Sequence, residues 1–547
     1  MRVLKTNPQD DFRIKAYAGT NGVLLAFDVA EARRDGLLGF AVEQREEGRN
    51  WQWLLNSLTF PGHAHTIAHW NATPSDIAPI QKFRWADYSI EPGTTCHYRV
   101  HLAYGRPGAI ELGESLALTV TTDDGRPEGH WVLFNRAAAA SQSFGRRFPE
   151  LVTRLEQVRN LPLEAWPEAP RRWLENGLLE RILAFIGRAT DNQWALDIAI
   201  YEYELDAIVE AVNAAQTRGV RLRVLYHAKA GDHQTQENEA RLAALPETSR
   251  RGRVTSRIFH HKFAVLSRLD GGEFKPCAVL LGSTNFTENG IYRQANVVHI
   301  TDDLGVASQY GQLFEVIWNA PADVGATRDW INRHNPLEAG RTLFAGFSPR
   351  SGAADLAEFA AVMRGAERDL LFATAFALPD DILDALLGAP HDDVLRYGVQ
   401  NKGSRITGFH ADRTAEFTAT ALLSKGLEGW VKEGLRGQRG NLLVHLKAVV
   451  ADFTSDAPVI ISGSHNLSLP ASNGNDENYL IIRGDTDLAD RYGLEILRFY
   501  EHYRFRYYAR KLKLKEARPL SPDGSWADDY YRPGHLKRLS RLRFSGR

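Results

Sequence analysis

"NLLVHLKAVVADF" occupies Asn441–Phe453. Most of it is apolar and β-branched, the composition of a buried strand. Two cation-capable side chains interrupt it, His445 and Lys447. Residues two apart on a strand project from the same face, so the imidazole and the ammonium are expected side by side. A buried strand gains nothing in packing from two such groups, so their presence points to chemistry.

A second stretch repeats the pattern. "FHHKFAVLS" (Phe259–Ser267) carries His260 and Lys262 at the same spacing. Each copy is followed by Gly-Ser-x-Asn. "LLGSTNFTENG" supplies Gly282, Ser283 and Asn285, and "IISGSHNLSLPA" supplies Gly463, Ser464 and Asn466. The Asn lies 285 − 260 = 25 residues after the His in the first copy and 466 − 445 = 21 in the second. Two ordered copies on apolar strands indicate an internal duplication.

The flanking sequence has the grammar of an α/β fold. "PRRWLENGLLERILAFIGRA" reads as an amphipathic helix, "WALDIAIYEY" as a strand, "ELDAIVEAVNAAQTRG" as a helix and "VRLRVLYHA" as a strand. This is a βαβ unit and predicts a parallel sheet. The same order returns in "DLAEFAAVMRGAERD", "LLFATAFAL" and "DDILDALLGA". Residues 1–125 differ. "GVLLAFDVA", "GLLGFAVEQRE" and "LALTVTTDDG" are short runs between turn signals, and "TTCHYRVHLAYG" alternates, with Tyr98, Val100, Leu102 and Tyr104 on one face. That pattern predicts a β-sandwich. The expected organisation is a sandwich-like domain over 1–125, a linker over 126–169, α/β lobes over 170–335 and 336–512, and a basic C-terminal tail over 513–547.

These motifs resemble those of the phospholipase D superfamily, whose pattern is His-x-Lys-x4-Asp followed by Gly-Ser-x-Asn. "HLKAVVAD" matches in full through His445, Lys447 and Asp452; "HHKFAVLS" has Ser267 in place of Asp. In the family that Asp mostly supports structure, so the first half is expected to function. The resemblance covers roughly residues 170–512. It implies two α/β lobes face to face, with one motif from each at a shared cleft. It also implies a phosphodiesterase that needs no metal or other cofactor and works through a phosphohistidine. The chemistry suits the residues. A neutral imidazole attacks phosphorus. A protonated one supplies the leaving group's proton. Lys262, Lys447, Asn285 and Asn466 bind the phosphoryl oxygens. Ser283 and Ser464 are candidate substrate contacts. His261 is expected to be structural, while His465 and Glu202 are further candidates near the site.

In the family a carboxylate 11 residues after the motif Asn often backs the catalytic His. Here that position holds Glu477 (466 + 11) in the second half and Asn296 (285 + 11) in the first. On that spacing Glu477 is expected to back His445 and make it the nucleophile, with His260 the acid, although the family often uses the first motif's His.

Composition bounds the rest. The chain has 547 residues, 44% hydrophobic and 24% charged, with a net charge of −1. No global field draws it to nucleic acid or anionic lipid. Cys96 and Cys277 make no disulfide framework. "MRVLKTNPQDDFRIKAY" lacks an apolar signal region, and no stretch approaches a membrane span, so a cytoplasmic protein is expected. "RFYEHYRFRYYARKLKLKEARP" and "HLKRLSRLRFSGR" mix rings with cations, as nucleic-acid surfaces do; a solvated amphipathic helix with its rings turned to the core is the favoured of the two readings. The preferred reading is a nuclease acting on DNA or RNA. The alternatives are a phospholipase D-type hydrolase or phosphatidyl transferase, and a catalytically decayed binding or scaffold protein. A monomer suffices for the site, and the N-terminal domain is a possible docking surface for a protein partner.

Overall fold

The computed structural model describes residues 1–66, 72–88, 90–124, 129–136, 144, 147–153, 163–254, 257–421, 443–514 and 517–547. Near the N-terminus, two four-stranded antiparallel sheets face each other. One joins Arg2–Thr6, Phe12–Ala18, Val23–Val29 and Arg84–Asp87; the other joins Ala109–Thr121, Thr95–Arg106, Gly39–Glu46 and Gln52–Trp53. Phe12, Ile14, Phe27, Phe40, Tyr98 and Val100 fill the space between them. Alternation in Thr95–Arg106 buries Cys96, Tyr98, Val100 and Leu102, as a half-buried strand requires.

The sandwich core is completed by the far end of the chain. Trp526 stacks on Phe83, with ring centroids 5.4 Å apart, and donates its indole N–H to Leu37 O at 2.8 Å. Tyr531 donates its hydroxyl to Val29 O at 2.8 Å. Arg541 pairs with buried Asp28 at 2.7 Å, and Arg547 bonds the same carboxylate. These basic C-terminal residues are spent on internal carboxylates. The 26-residue helix Thr486–Lys511 behaves alike: Phe499, Tyr500 and Tyr503 are buried, and Arg504 pairs with Glu416 at 2.9 Å. Of the two readings of this ring-and-cation segment, the core-facing helix is the one observed.

The two α/β lobes carry matching sheets. In the first, the spatial order is His130–Phe134, Val297–Thr301, Glu273–Gly282, Lys262–Asp270, Trp194–Ile200, Arg221–Ala228 and Arg250–Val254. In the second it is Leu343–Ser348, Glu477–Arg483, Val459–Gly463, Ala448–Ala451, Asp369–Thr374, Leu395–Gln400 and Ala415–Ala419, with Gly408–His410 added at the edge. The duplication read from the motifs is therefore a duplication of topology. The sheets are mixed. Trp194–Ile200, Arg221–Ala228 and Arg250–Val254 run parallel, as do their three counterparts, and the remaining pairings are antiparallel. The βαβ grammar identifies only the parallel half; hairpin-like returns build the other.

Two further differences have local causes. His130–Phe134, within the expected linker, forms the edge strand of the first lobe by pairing with Val297–Thr301. The helix read through residues 170–189 is two helices, Glu168–Glu175 and Leu178–Gly187. The intervening Asn176 and Gly177 adopt φ of +54° and +78°, the left-handed conformation that ends a helix. One apolar core runs through the interface, joining Phe263 and Val297 of the first lobe to Leu371 and Val450 of the second and to Tyr17 of the sandwich.

If Trp526 completes the sandwich core, Trp526→Ala lowers global stability by roughly 2–3 kcal/mol in chemical denaturation, because the stacked ring leaves a cavity against Phe83 and Phe40.

Candidate active site

The ladder strands of the two motifs begin at Lys262 and Ala448, so His260, His445 and Lys447 lie in the extended segments leading into them. Those lead-ins pair with the opposite lobe. Phe259 bridges Asp476 and Val444 bridges Ala295, both in parallel sense. His260 N–H donates to Asp476 O at 2.9 Å and Asp476 N–H to Ile258 O at 3.1 Å. His445 N–H donates to Ala295 O at 3.0 Å and Ala295 N–H to Leu443 O at 2.8 Å. Each lobe thus holds the other's histidine backbone, and both imidazoles are carried into one cleft with ring centroids 6.5 Å apart.

This exchange crosses the supporting side chains as well. Glu477 Oε2 lies 2.7 Å from Nδ1 of His260, and Asn296 Oδ1 lies 2.8 Å from Nδ1 of His445. Spacing along the chain points Glu477 to its own lobe's His445; the observed partner is the other lobe's histidine. The Asn296 amide is oriented by donating its NH2 to Gly290 O at 2.9 Å, so its oxygen accepts from His445. Both histidines are therefore held with the proton on Nδ1, leaving Nε2 for chemistry.

The Gly-Ser-x-Asn turns serve the same arrangement. Gly282 and Gly463 have φ of +150° and +158°, and a Cβ there would sit 2.2 Å from Val297 O and 2.3 Å from Asn478 O. Only glycine lets the turn approach the neighbouring strand this closely. Ser464 Oγ donates to Glu477 at 2.7 Å and Ser283 Oγ to Asn296 at 2.8 Å. Both hydroxyls thus face the groups that orient the histidines. Asn285 donates to Glu202 at 2.5 Å, and the Oδ1 atoms of Asn285 and Asn466 are buried without a hydrogen-bond partner.

Lys262 and Lys447 are 1% and 2% exposed, and each ammonium donates to the carbonyl of its own histidine, at 3.0 and 2.8 Å. Burial pulls Lys262 down to about 8, against the pull of Glu477 and Glu202, and lowers Lys447 well below its usual range, with Lys262 adding repulsion. Burial also lowers both histidines, and the two lysines reinforce it. Glu477 is raised by burial, opposed by His465 and Lys262. The cleft therefore holds compressed positive charge that an entering anion relieves. Two rings border it. Tyr201 lies 5.5 Å from His260, and Phe376, 47% exposed, lies 6.4 Å from His445.

His261 is buried, its Nδ1 3.3 Å from Asn478 Oδ1. His465 contacts Asp355, with Nε2 3.3 Å from Oδ2. Asp452 Oδ1 accepts from the backbone of Glu367 and Arg368 at 2.9 and 2.7 Å and fixes a turn. Ser267 is buried in its strand opposite Ala195. Glu202, at the end of its strand, joins the site through Asn285. Sequence reasoning missed three contributors. Arg253 and Asp476 form a fully buried pair between lobes, with contacts of 3.0 and 3.1 Å. Asn135 accepts from Asn296 N–H at 2.9 Å and donates to the carbonyls of Gly290, Ile291 and Gln294, fixing the loop behind His445. The Asp476–Glu477 dipeptide was a usable signal for a charge partner; Asn135 lay in the presumed linker and gave none. Among the described residues, no cluster of three or more His, Cys, Asp or Glu side chains could hold a metal ion.

Residues 182–318 match the family model described as "Cardiolipin synthase, PLD-like domain". The mitochondrial cardiolipin hydrolase of Xenopus tropicalis is 31% identical over 142 residues, 25% of this chain; the chain spans 60% of that relative's length. Among solved structures, phosphatidylserine synthase of Haemophilus influenzae Rd KW20 is similar over 68% of this chain and 92% of its own, at 12% identity and a TM-score of 0.42. Polyphosphate kinase from Porphyromonas gingivalis is similar over 68% of this chain and 52% of its own, at 11% identity and a TM-score of 0.42.

Two stability outcomes follow from the buried charges. Asp476→Asn leaves Arg253 unpaired in the interface and lowers stability by about 3–5 kcal/mol, whereas Arg253→Met with Asp476→Leu recovers much of the loss in the same denaturation assay. Lys262→Met acts oppositely. The folded-state value of Lys262 is depressed, so protonated lysine opposes folding below pH about 8, and that cost fades as pH rises toward its ordinary 10.5. At pH 7 Lys262→Met raises stability by up to about 3 kcal/mol, and the gap from wild type closes between pH 8 and 10.5.

Proposed function

We propose that this chain, which belongs to the phospholipase D superfamily, is a phosphodiesterase that cleaves a P–O bond through a phosphohistidine on His260. The observation that carries this reading is the crossed support of two imidazoles 6.5 Å apart, one by a carboxylate and the other by a neutral amide. His260 Nε2 attacks phosphorus, the bond to the leaving oxygen breaks, and the N–P bond forms. The ring then bears positive charge on a proton shared with Glu477, which stabilises it. Asn296 offers His445 no such charge, so protonated His445 gives up its Nε2 proton to the leaving oxygen more readily. In the second step His445 Nε2 takes a proton from water, the oxygen attacks phosphorus, and the N–P bond breaks. Lys262 and Lys447 neutralise the phosphoryl oxygens, with Asn285 and Asn466 adding donors. Ser283 and Ser464 act by orienting Asn296 and Glu477.

The substrate we favour is a nucleic acid, DNA or RNA. Tyr201 beside His260 and exposed Phe376 beside His445 offer a ring on each side of the cleft, where flanking bases can stack. The aromatic and basic helix Thr486–Lys511 does not carry this choice, since Tyr492, Phe499, Tyr500 and Tyr503 are turned into the core. A phospholipid is the second reading, favoured by the relative whose name is a cardiolipin hydrolase.

The decisive measurement is trapping with an aryl phosphodiester, whose leaving group needs no proton. His445→Ala still forms the covalent intermediate while turnover falls by roughly 10²–10⁴-fold, and mass spectrometry places the phosphoryl group on His260. A label on His445 when the wild-type chain is trapped the same way reverses the assignment. Wild-type kcat/KM on an alkyl-leaving substrate rises as pH falls from 8 toward 6, because the lowered value of His445 leaves little acid form at high pH. Head-group release from cardiolipin vesicles, with no cleavage of single- or double-stranded DNA or RNA, moves the substrate to the lipid class.

A further inference from the structure

We propose that a second cavity, between the sandwich and the first lobe, binds a small organic phosphate carrying a flat apolar group, of the size of a mononucleotide. It is a half-open cavity of about 940 Å³, within the range of ligand pockets, and shares no residue with the histidine cleft. Glu91, Pro92 and Asp124 border it on the sandwich side, and Leu133, Arg136 and Trp173 on the lobe side.

Four arginines, Arg136, Arg147, Arg172 and Arg181, line this cavity against four acids, Glu91, Asp124, Glu175 and Glu180, and two of the arginines are left without an ion pair among the described residues. Arg136 is nearly buried, with its guanidinium 5.1 Å over Trp173 and its backbone N–H fixed on Leu174 O at 2.8 Å. It reaches the carboxylate of Glu91 at 3.3 Å, and that side chain is 64% exposed. Burial lowers its basicity, opposed by Glu91 and reinforced by Arg498 and Arg147. Arg172 is paired with Glu168 and Glu180. Arg147 and Arg181 also line the cavity, and neither forms an ion pair among the described residues. The buried acid, Glu175, accepts the N–H of Leu179 at 2.8 Å and is raised by burial to about 7, so it supplies only part of a negative charge at neutral pH.

Guanidinium groups prefer planar, multiply accepting anions, and phosphate offers three oxygens to several arginines at once. The apolar wall sets the rest of the ligand. Trp173 meets Phe148 edge-on, with centroids 6.3 Å apart, beside Leu133. A phosphate on a ring system satisfies both halves; a bare anion leaves the rings unused.

The test is calorimetric titration of the full chain carrying Lys262→Met and Lys447→Met, which removes the phosphate-binding cations of the histidine cleft. Adenosine monophosphate is the probe, with adenosine and inorganic phosphate as comparison arms. The expected result is saturable binding of the nucleotide, at least about tenfold weaker for either comparison arm and for Arg147→Ala with Arg181→Ala. Trp173→Leu, monitored for folding by circular dichroism, weakens the nucleotide and leaves inorganic phosphate unchanged. Nucleotide affinity unaltered by the arginine pair, or no binding up to about 10 mM, overturns the proposal. Inorganic phosphate binding as tightly as the nucleotide overturns the organic part of it.

Discussion

The backbone exchange at Phe259–Asp476 and Ala295–Val444 is the constraint on which the paired-histidine arrangement rests. Four hydrogen bonds between lobes fix where each histidine enters the cleft, and the residue after each bridging partner, Glu477 or Asn296, is the one that holds the opposite imidazole. Position along one backbone therefore sets side-chain geometry in the other lobe. A small rotation between lobes would break two backbone bridges and both histidine contacts together, so the site is assembled by the interface rather than by either motif alone.

That interface carries an unusual electrostatic load. Two ammonium groups, two imidazoles and the carboxylates of Glu477 and Asp476 are all nearly inaccessible to water. Burial of unlike charges rarely stabilises a fold, and burial of like charges opposes it. The continuous apolar core around Phe263, Leu371 and Val450 offsets this cost. The duplicated fold has kept its pseudo-twofold pattern while its two halves diverged chemically: carboxylate against amide behind the rings, and Glu202 against exposed Phe376 at the cleft edge. A symmetric scaffold with unequal halves suits the two-step reaction proposed above, in which one imidazole becomes the adduct and the other exchanges protons.

The repeated His-x-Lys and Gly-Ser-x-Asn motifs made the duplication and most of the cleft legible, because packing alone seldom puts cations on an apolar segment or repeats a tight glycine turn behind them. What the linear order hid was the crossing. Counting 11 residues from Asn466 finds Glu477 but cannot say which lobe's histidine it meets, since that depends on the interface. The edge strand His130–Phe134 was hidden for a similar reason: its partners lie far along the chain. The Asn176–Gly177 break was readable as a turn dipeptide but was outweighed by helical periodicity on both sides. The basic tail was misleading about substrate, because composition does not reveal that Asp28 and Glu416 wait inside the fold for Arg541 and Arg504.

The closure of the sandwich by Trp526 and Tyr531 has a consequence for biosynthesis. Domains generally fold in order as the chain emerges from the ribosome. Here the sandwich emerges before the lobes yet lacks part of its core until Trp526 and Tyr531 have followed both of them out. The Phe40 and Phe83 surface that Trp526 covers stays exposed throughout that interval. The sandwich, made before the lobes, is thus finished after them, and a chain cut short of Trp526 would keep a sticky, unfinished face at Phe40 and Phe83.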